Sequence, residues 1–148
     1  MKIILNKCYG GFNVSTAGYR LYAKKKGFEL YPYVMAIDPK YKYHIGEYSF
    51  EKIEWEKIRY TCAHIHYFIK DYGDKISRRA FNEIEDDYLW LEQNHRTDPV
   101  LIEVVEELGK EASGAGSDLR VVEIPDDMEW VIDKHDGLEV LHQKVQTW

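Results

Sequence analysis

Residues suited to chemistry gather in three places. The first is Cys8–Ser15, CYGGFNVS. The paired glycines Gly10 and Gly11 let main-chain N–H groups converge, and a helix starting just beyond them adds the positive end of its dipole. Those are the needs of a phosphate site. Tyr9 or Phe12 would offer an aromatic platform beside it, and Asn13 would join the glycines as a backbone donor. The stretch is neither a Walker loop nor G-x-G-x-x-G, and its plain alternative is a tight turn.

The second place is the arginine set Arg59, Arg78, Arg79 and Arg96, whose planar forks bind phosphates bidentately and stack on bases. Arg96 stands out because His95, Arg96 and Asp98 meet at a loop–helix junction, which puts its fork beside another helix N-terminus. The alternative for any one of them is a solvated arginine paired with a carboxylate. Third, Cys62-Ala63-His64-Ile65-His66 would put three potential metal ligands, Cys62, His64 and His66, on one face of a strand. Histidines in an aromatic strand also pack as hydrogen-bonded core residues, so no metal is assigned. Glu83, Glu85, Asp86 and Asp87 read as the solvated face of a helix. No G-x-S-x-G or H-E-x-x-H nucleophile or metal motif occurs. The candidate ligand-binding residues are thus Tyr9, Gly10, Gly11, Phe12, Asn13, Arg78, Arg96 and Asp98, with no catalytic set and no cofactor.

These residues need elements to hold them. Met1–Lys7 reads as a strand broken by the glycine pair. Ser15 is placed to cap a helix, Val14 to staple against Tyr19, and Gly27 to end it after three lysines. Phe28–Ile37 looks extended, with Pro32 arguing for an edge position. Residues 38–60 give no clear pattern. Tyr60–Ile69 has strand composition. Ser77 would cap a helix running to about Glu92, since Ala80, Phe81, Ile84, Tyr88 and Leu91 recur at helical spacing. Asp98-Pro99 starts the clearest helix, with the stripe Leu101, Val104, Val105, Leu108 and Ala112 ending at Gly114 or Gly116. Leu119–Ile124 is a strand, and Glu129–Asp133 with Glu139–Val145 flank the hairpin signal His135-Asp136-Gly137. The sum is an α+β (mixed α/β) fold in one small domain, residues 1–148, with a mixed sheet, about three helices and a C-terminal β-hairpin.

Length and charge bound the function. A chain of 148 residues with 45% hydrophobic and 31% charged residues has material for a core. No apolar run approaches the ~18 residues of a membrane span, and the start lacks a secretory pattern. With two cysteines no disulfide framework is expected, so the reading is a reduced, cytoplasmic protein. Net charge is −6, yet residues 1–46 hold eight Lys/Arg and two Asp/Glu, a net of +6, and the rest carries −12. An acidic body disfavours duplex nucleic acid while leaving room for a small phosphorylated ligand held locally.

Two stretches carry a resemblance. MKIILNKCYGGF at 1–12, and RTDPVLIEVVEELGKEASG at 96–114 followed by LRVVEIPDDMEWVIDKHDG at 119–137, resemble a family of small bacteriophage and prophage proteins. They cover about a third of the chain; residues 28–95 resemble nothing known. The family looks like the first-described Thoeris anti-defence sponges. That resemblance implies a homo-oligomer that binds a cyclic ADP-ribose-type immune signal, and in some members cyclic oligonucleotides, at subunit interfaces without cleaving it. Two other functions fit the residues: a hydrolase acting on nucleotides, and a protein-interaction inhibitor of a host defence enzyme.

Overall fold

The computed structural model of the chain describes residues 1–37, 48–61 and 63–145. It forms two compact units, one from Met1–Gly27 with Leu91–Trp148 and the other from Phe28–Trp90. Every strand pairing among the described residues is antiparallel, and with three α-helices the fold is α+β.

In the first unit β1 (Lys2–Asn6) pairs with β7 (Leu119–Glu123). Ile3, Ile4 and Leu5 are almost wholly buried, so the apolar run between Lys2 and Asn6 is a core strand. Helix α1 (Thr16–Lys26) begins where expected: Ser15 Oγ accepts the Gly18 N–H at 3.0 Å. It ends at Gly27, whose φ of 84° lets its N–H reach the Ala23 carbonyl. Helix α3 (Pro99–Leu108) packs Leu101, Val104 and Val105 into the core. It stops at Gly109 (φ 57°) rather than at Gly114 or Gly116. Buried Ala112 keeps its place in the apolar stripe, but on a 3-10 turn over Gly109–Ala112. Strands β8 (Trp130–His135) and β9 (Leu138–Gln143) make the hairpin, closed by Asp136 and Gly137 at φ 49° and 90°. Two consecutive positive φ values define the turn that suits the twist of a two-residue hairpin.

The second unit is a five-stranded sheet in the order β5-β3-β2-β4-β6 with one short helix. Its strands are β2 (Tyr31–Ile37), β3 (Tyr48–Lys52), β4 (Ile65–Phe68), β5 (Lys75–Ser77) and β6 (Tyr88–Leu89), and α2 is Arg78–Glu83. Tyr33, Phe50, Phe68 and Ile76 form its core, with Phe81 of α2 stacked on Phe50 at 4.4 Å.

Three expectations are corrected in this unit. Pro32 lies on the central strand, not an edge. Its carbonyl turns toward β3 and accepts from Ile53, one position past the last β2–β3 pair Tyr33–Lys52. Its missing N–H leaves that pair with one bond instead of two, which fits a position just past the end of the β2–β3 ladder. Of the strand expected over Tyr60–Ile69, the described residues form β4 over Ile65–Phe68, while Tyr60 ends the 3-10 helix Trp55–Tyr60. The helix capped by Ser77 ends at Glu83 instead of about Glu92. Glu83, Glu85, Asp86 and Asp87 would crowd carboxylates onto the negative end of its dipole. Tyr88 meanwhile pairs with Phe68 as a strand residue and closes the aromatic core.

Candidate functional site

The glycine corner between β1 and α1 is built as a closed knot. Buried Asn6 sits at its centre: Nδ2 faces the carbonyls of Cys8, Gly11 and Gly137 at 2.9–3.2 Å. Its Oδ1 accepts from Ser117 Oγ at 3.2 Å and from the Asp118 amide at 2.9 Å. Gly10 adopts φ 151° and donates its amide to the Asp136 carbonyl at 2.9 Å. A Cβ on Gly10 would lie 2.1 Å from the Gly116 carbonyl oxygen, and one on Gly137 only 1.3 Å from the Gly10 oxygen. Three turns thus touch backbone to backbone, which only residues lacking a side chain permit.

Arg96, expected as a phosphate fork, is corrected to a buried internal partner. It is 8% exposed, and Glu139 is 1% exposed. Nη2 and Nη1 hold the two Glu139 oxygens at 2.8 and 3.1 Å, Nη1 also reaches the Ile4 carbonyl, and Nε the Gln93 carbonyl. Phe12 lies under the guanidinium at 5.5 Å. Burial works to raise the Glu139 carboxyl, but the Arg96 fork, the Asn6 amide and the Lys134 charge outweigh it and hold it below the usual carboxylate range. Asp98 is likewise engaged within the fold. It caps α3 through the Val100 amide at 2.9 Å and accepts the Tyr22 hydroxyl at 2.6 Å. Burial opposes its ionisation, yet those bonds keep it below the usual range, and the Tyr22 phenol is pushed well up. Asn13 binds Ser117 and the Ala115 and Gly114 backbone. Tyr9, 65% exposed, and Gly11, with open space around it, face outward.

Arg78 belongs to the other unit, where the structure brings it into a cleft of about 740 Å³. Tyr48, Tyr72, Lys75 and Arg79 share that lining, and no carboxylate does among the described residues. Ser77 Oγ accepts the Ala80 amide at 3.1 Å, which sets Arg78 and Arg79 in the first turn of α2. The Arg78 guanidinium stands 5.3 Å above the Tyr48 ring. Tyr48 meets the buried Phe50 edge-on at 5.7 Å. The Tyr72 hydroxyl bonds Asp87, and that bond with partial burial pushes its phenol up to about 12, so the ring enters the cleft neutral. Neither Lys75 nor Arg79 has an ion pair among the described residues. Against a net charge of −6, the Lys75, Arg78 and Arg79 lining gives this cleft a local positive character. Sequence reasoning named Arg78 but passed over Tyr48, Tyr72, Lys75 and the placement of Arg79. The run Lys75-Ile76-Ser77-Arg78-Arg79, a helix cap flanked by cations, is the signal that points to them.

The candidate metal strand falls partly on Cys62, which lies outside the described residues. His64 and His66 are 4.8 Å apart ring to ring, and His66 Nδ1 meets the Tyr88 hydroxyl at 3.1 Å. Burial, with His64 beside it, lowers His66 to about 4, the mark of a neutral packing histidine. No cluster of three metal-ligand residues occurs among the described residues. In the same set, no helix is long and apolar enough to cross a membrane. No family model, curated protein or solved structure matches this chain.

Proposed function

We propose that this chain is a non-enzymatic binding protein that sequesters a small phosphorylated nucleotide signal, of the cyclic ADP-ribose type and extending to cyclic oligonucleotides. On this reading it works as a homo-oligomer in the cytoplasm of a phage-infected bacterium. The observation that carries the ligand class is the cleft: Lys75, Arg78 and Arg79 with Tyr48 and Tyr72, in a volume of about 740 Å³ that suits a nucleotide. Cations attract the phosphates, and tyrosine rings offer a face to a base. The biological setting draws on a different part of the chain, the strings at 1–12, 96–114 and 119–137 that resemble phage anti-defence sponges. The role asks for affinity and stoichiometry rather than transition-state stabilisation.

The test is stoichiometric depletion. Protein is mixed with cyclic ADP-ribose isomers, filtered, then heat-denatured, and both fractions are weighed by mass spectrometry. The expected result is loss of ligand from the filtrate up to a fixed ratio per chain, recovery of unchanged mass after heating, and no depletion by Arg79→Glu. A product of altered mass formed beyond stoichiometry would instead identify a nucleotide hydrolase. Absence of depletion with every anionic probe would end the sequestration reading.

A further inference from the structure

Resting on the proposed function only for its homo-oligomer, we infer that the outer edge of β8 is where two copies of the chain join. They pair antiparallel about a twofold axis at Ile132, so that two hairpins become one four-stranded sheet. The hydrogen-bond phase of the hairpin leads there. Lys144 donates its amide to the Glu129 carbonyl, and bonded pairs alternate along an antiparallel ladder. The main chains of Val131, Asp133 and His135 therefore face β9. Those of Trp130, Ile132 and Lys134 face the other way, and nothing bonds them among the described residues. The matching edge of β9 is already in use, since its Glu139 carbonyl accepts from Lys7 Nζ at 3.0 Å.

The β8 edge also lacks the guards that keep lone edges apart. The strand holds no proline, and its register with β9 runs without a bulge. Its two charges are engaged within their own hairpin: Asp133 meets His142 at 3.1 Å, and Lys134 stands 3.9 Å from Glu139. A twofold axis at Ile132 sets Trp130 opposite the second copy's Lys134, a cation beside an indole, and Glu129 opposite its His135. The three outward-facing pairs then exchange two bonds each. Ile132 and Leu141, half-buried cross-strand partners in one hairpin, become one apolar row across four strands. Charge selects this register. A slip of two residues puts Glu129 opposite Asp133 in one direction and Asp133 opposite itself in the other. A slip of one puts bonded groups against outward ones and exchanges the faces.

Sedimentation equilibrium of the full chain across the micromolar range tests the joint. Wild type is expected as a dimer or a multiple of one. Ile132→Pro removes only an outward-facing N–H and should give a monomer with the far-ultraviolet dichroism of wild type. His135→Glu sets two like-charge pairs across the joint and should weaken the dimer roughly ten-fold. Adding Glu129→Lys to it should restore the dimer, and this exchange decides the matter where Ile132→Pro does not fold. A wild-type dimer indifferent to His135→Glu, or a folded Ile132→Pro that stays dimeric, overturns the β8 joint and leaves the homo-oligomer standing. A monomeric wild type overturns both and leaves ligand capture by the cleft untouched.

Discussion

Exchanging Glu139 for Gln isolates the force that closes the first unit. Glu139 and Arg96 are 1% and 8% exposed and exchange two bonds, at 2.8 and 3.1 Å. The carboxylate also accepts the Asn6 amide at 2.8 Å. Glutamine has nearly the same shape but loses the charge and turns an N–H₂ toward groups that are all donors. Removing one partner of a buried pair costs about 3–5 kcal/mol, because the remaining charge stays out of water. At roughly 2–4 °C per kcal/mol for a chain of this size, the melting temperature should fall by on the order of 6–20 °C.

Urea unfolding followed by circular dichroism gives the size of the effect, and amide exchange along β1 and β9 gives its place. The double change Arg96→Met with Glu139→Leu removes both charges at similar volume and should recover most of the loss. The pH sign follows from the depressed carboxyl. Its contribution is complete above the usual carboxylate value and is lost as pH falls through the lower folded value, a slope that Glu139→Gln should lack. Stability of Glu139→Gln within about 0.5 kcal/mol of wild type, or a double variant as weak as the summed singles, would refute the clamp.

The two adjacent glycines should separate cleanly. Gly11→Ala has open space and should change stability by less than about 0.5 kcal/mol, whereas Gly10→Ala and Gly137→Ala meet backbone oxygen and should unfold the first unit in a thermal melt; equal effects at Gly10 and Gly11 would contradict the packed corner. In the second unit, His66 is neutral with its value lowered to about 4 from 6.5. Its contribution is therefore full above pH 6.5 and declines as pH falls toward 4. His66→Phe should flatten that decline in acid titrations monitored by near-ultraviolet dichroism, and an unchanged profile would show that other groups govern it.

The features legible in the sequence are those whose cause is local. Ser15, Ser77 and Asp98 each bond an amide two or three residues on, so the cap stands beside the helix it starts. Asp136-Gly137 forms its turn through its own backbone angles. What was not legible depends on distant partners. Arg96 looks like a surface fork until Glu139, 43 residues away, takes it. Asn6 ends an apolar run without any sign that three turns will converge on it. Ala80 to Leu91 keeps helical spacing, yet Tyr88 gains more by joining β4 than by extending α2, a competition decided by the aromatic core. The cleft was hidden for the same reason: Tyr48 and Arg78 are 30 positions apart and meet only because β3 pairs with β5 and α2 follows directly.

The discontinuous make-up of the first unit bears on how the chain is born. Phe28–Trp90 is continuous and is complete on the ribosome before β7 has been translated. At about 5–20 residues per second, β1 waits roughly 6–23 seconds for the strand that will pair with it. During that interval Ile3, Ile4 and Leu5 have no ladder partner, the kind of unpaired apolar edge that recruits chaperones or aggregates. A circular permutant that begins at Leu91 and joins the old ends through a linker would translate β7 and β1 closer together in time. It should need less chaperone help in a cell-free translation and refold faster.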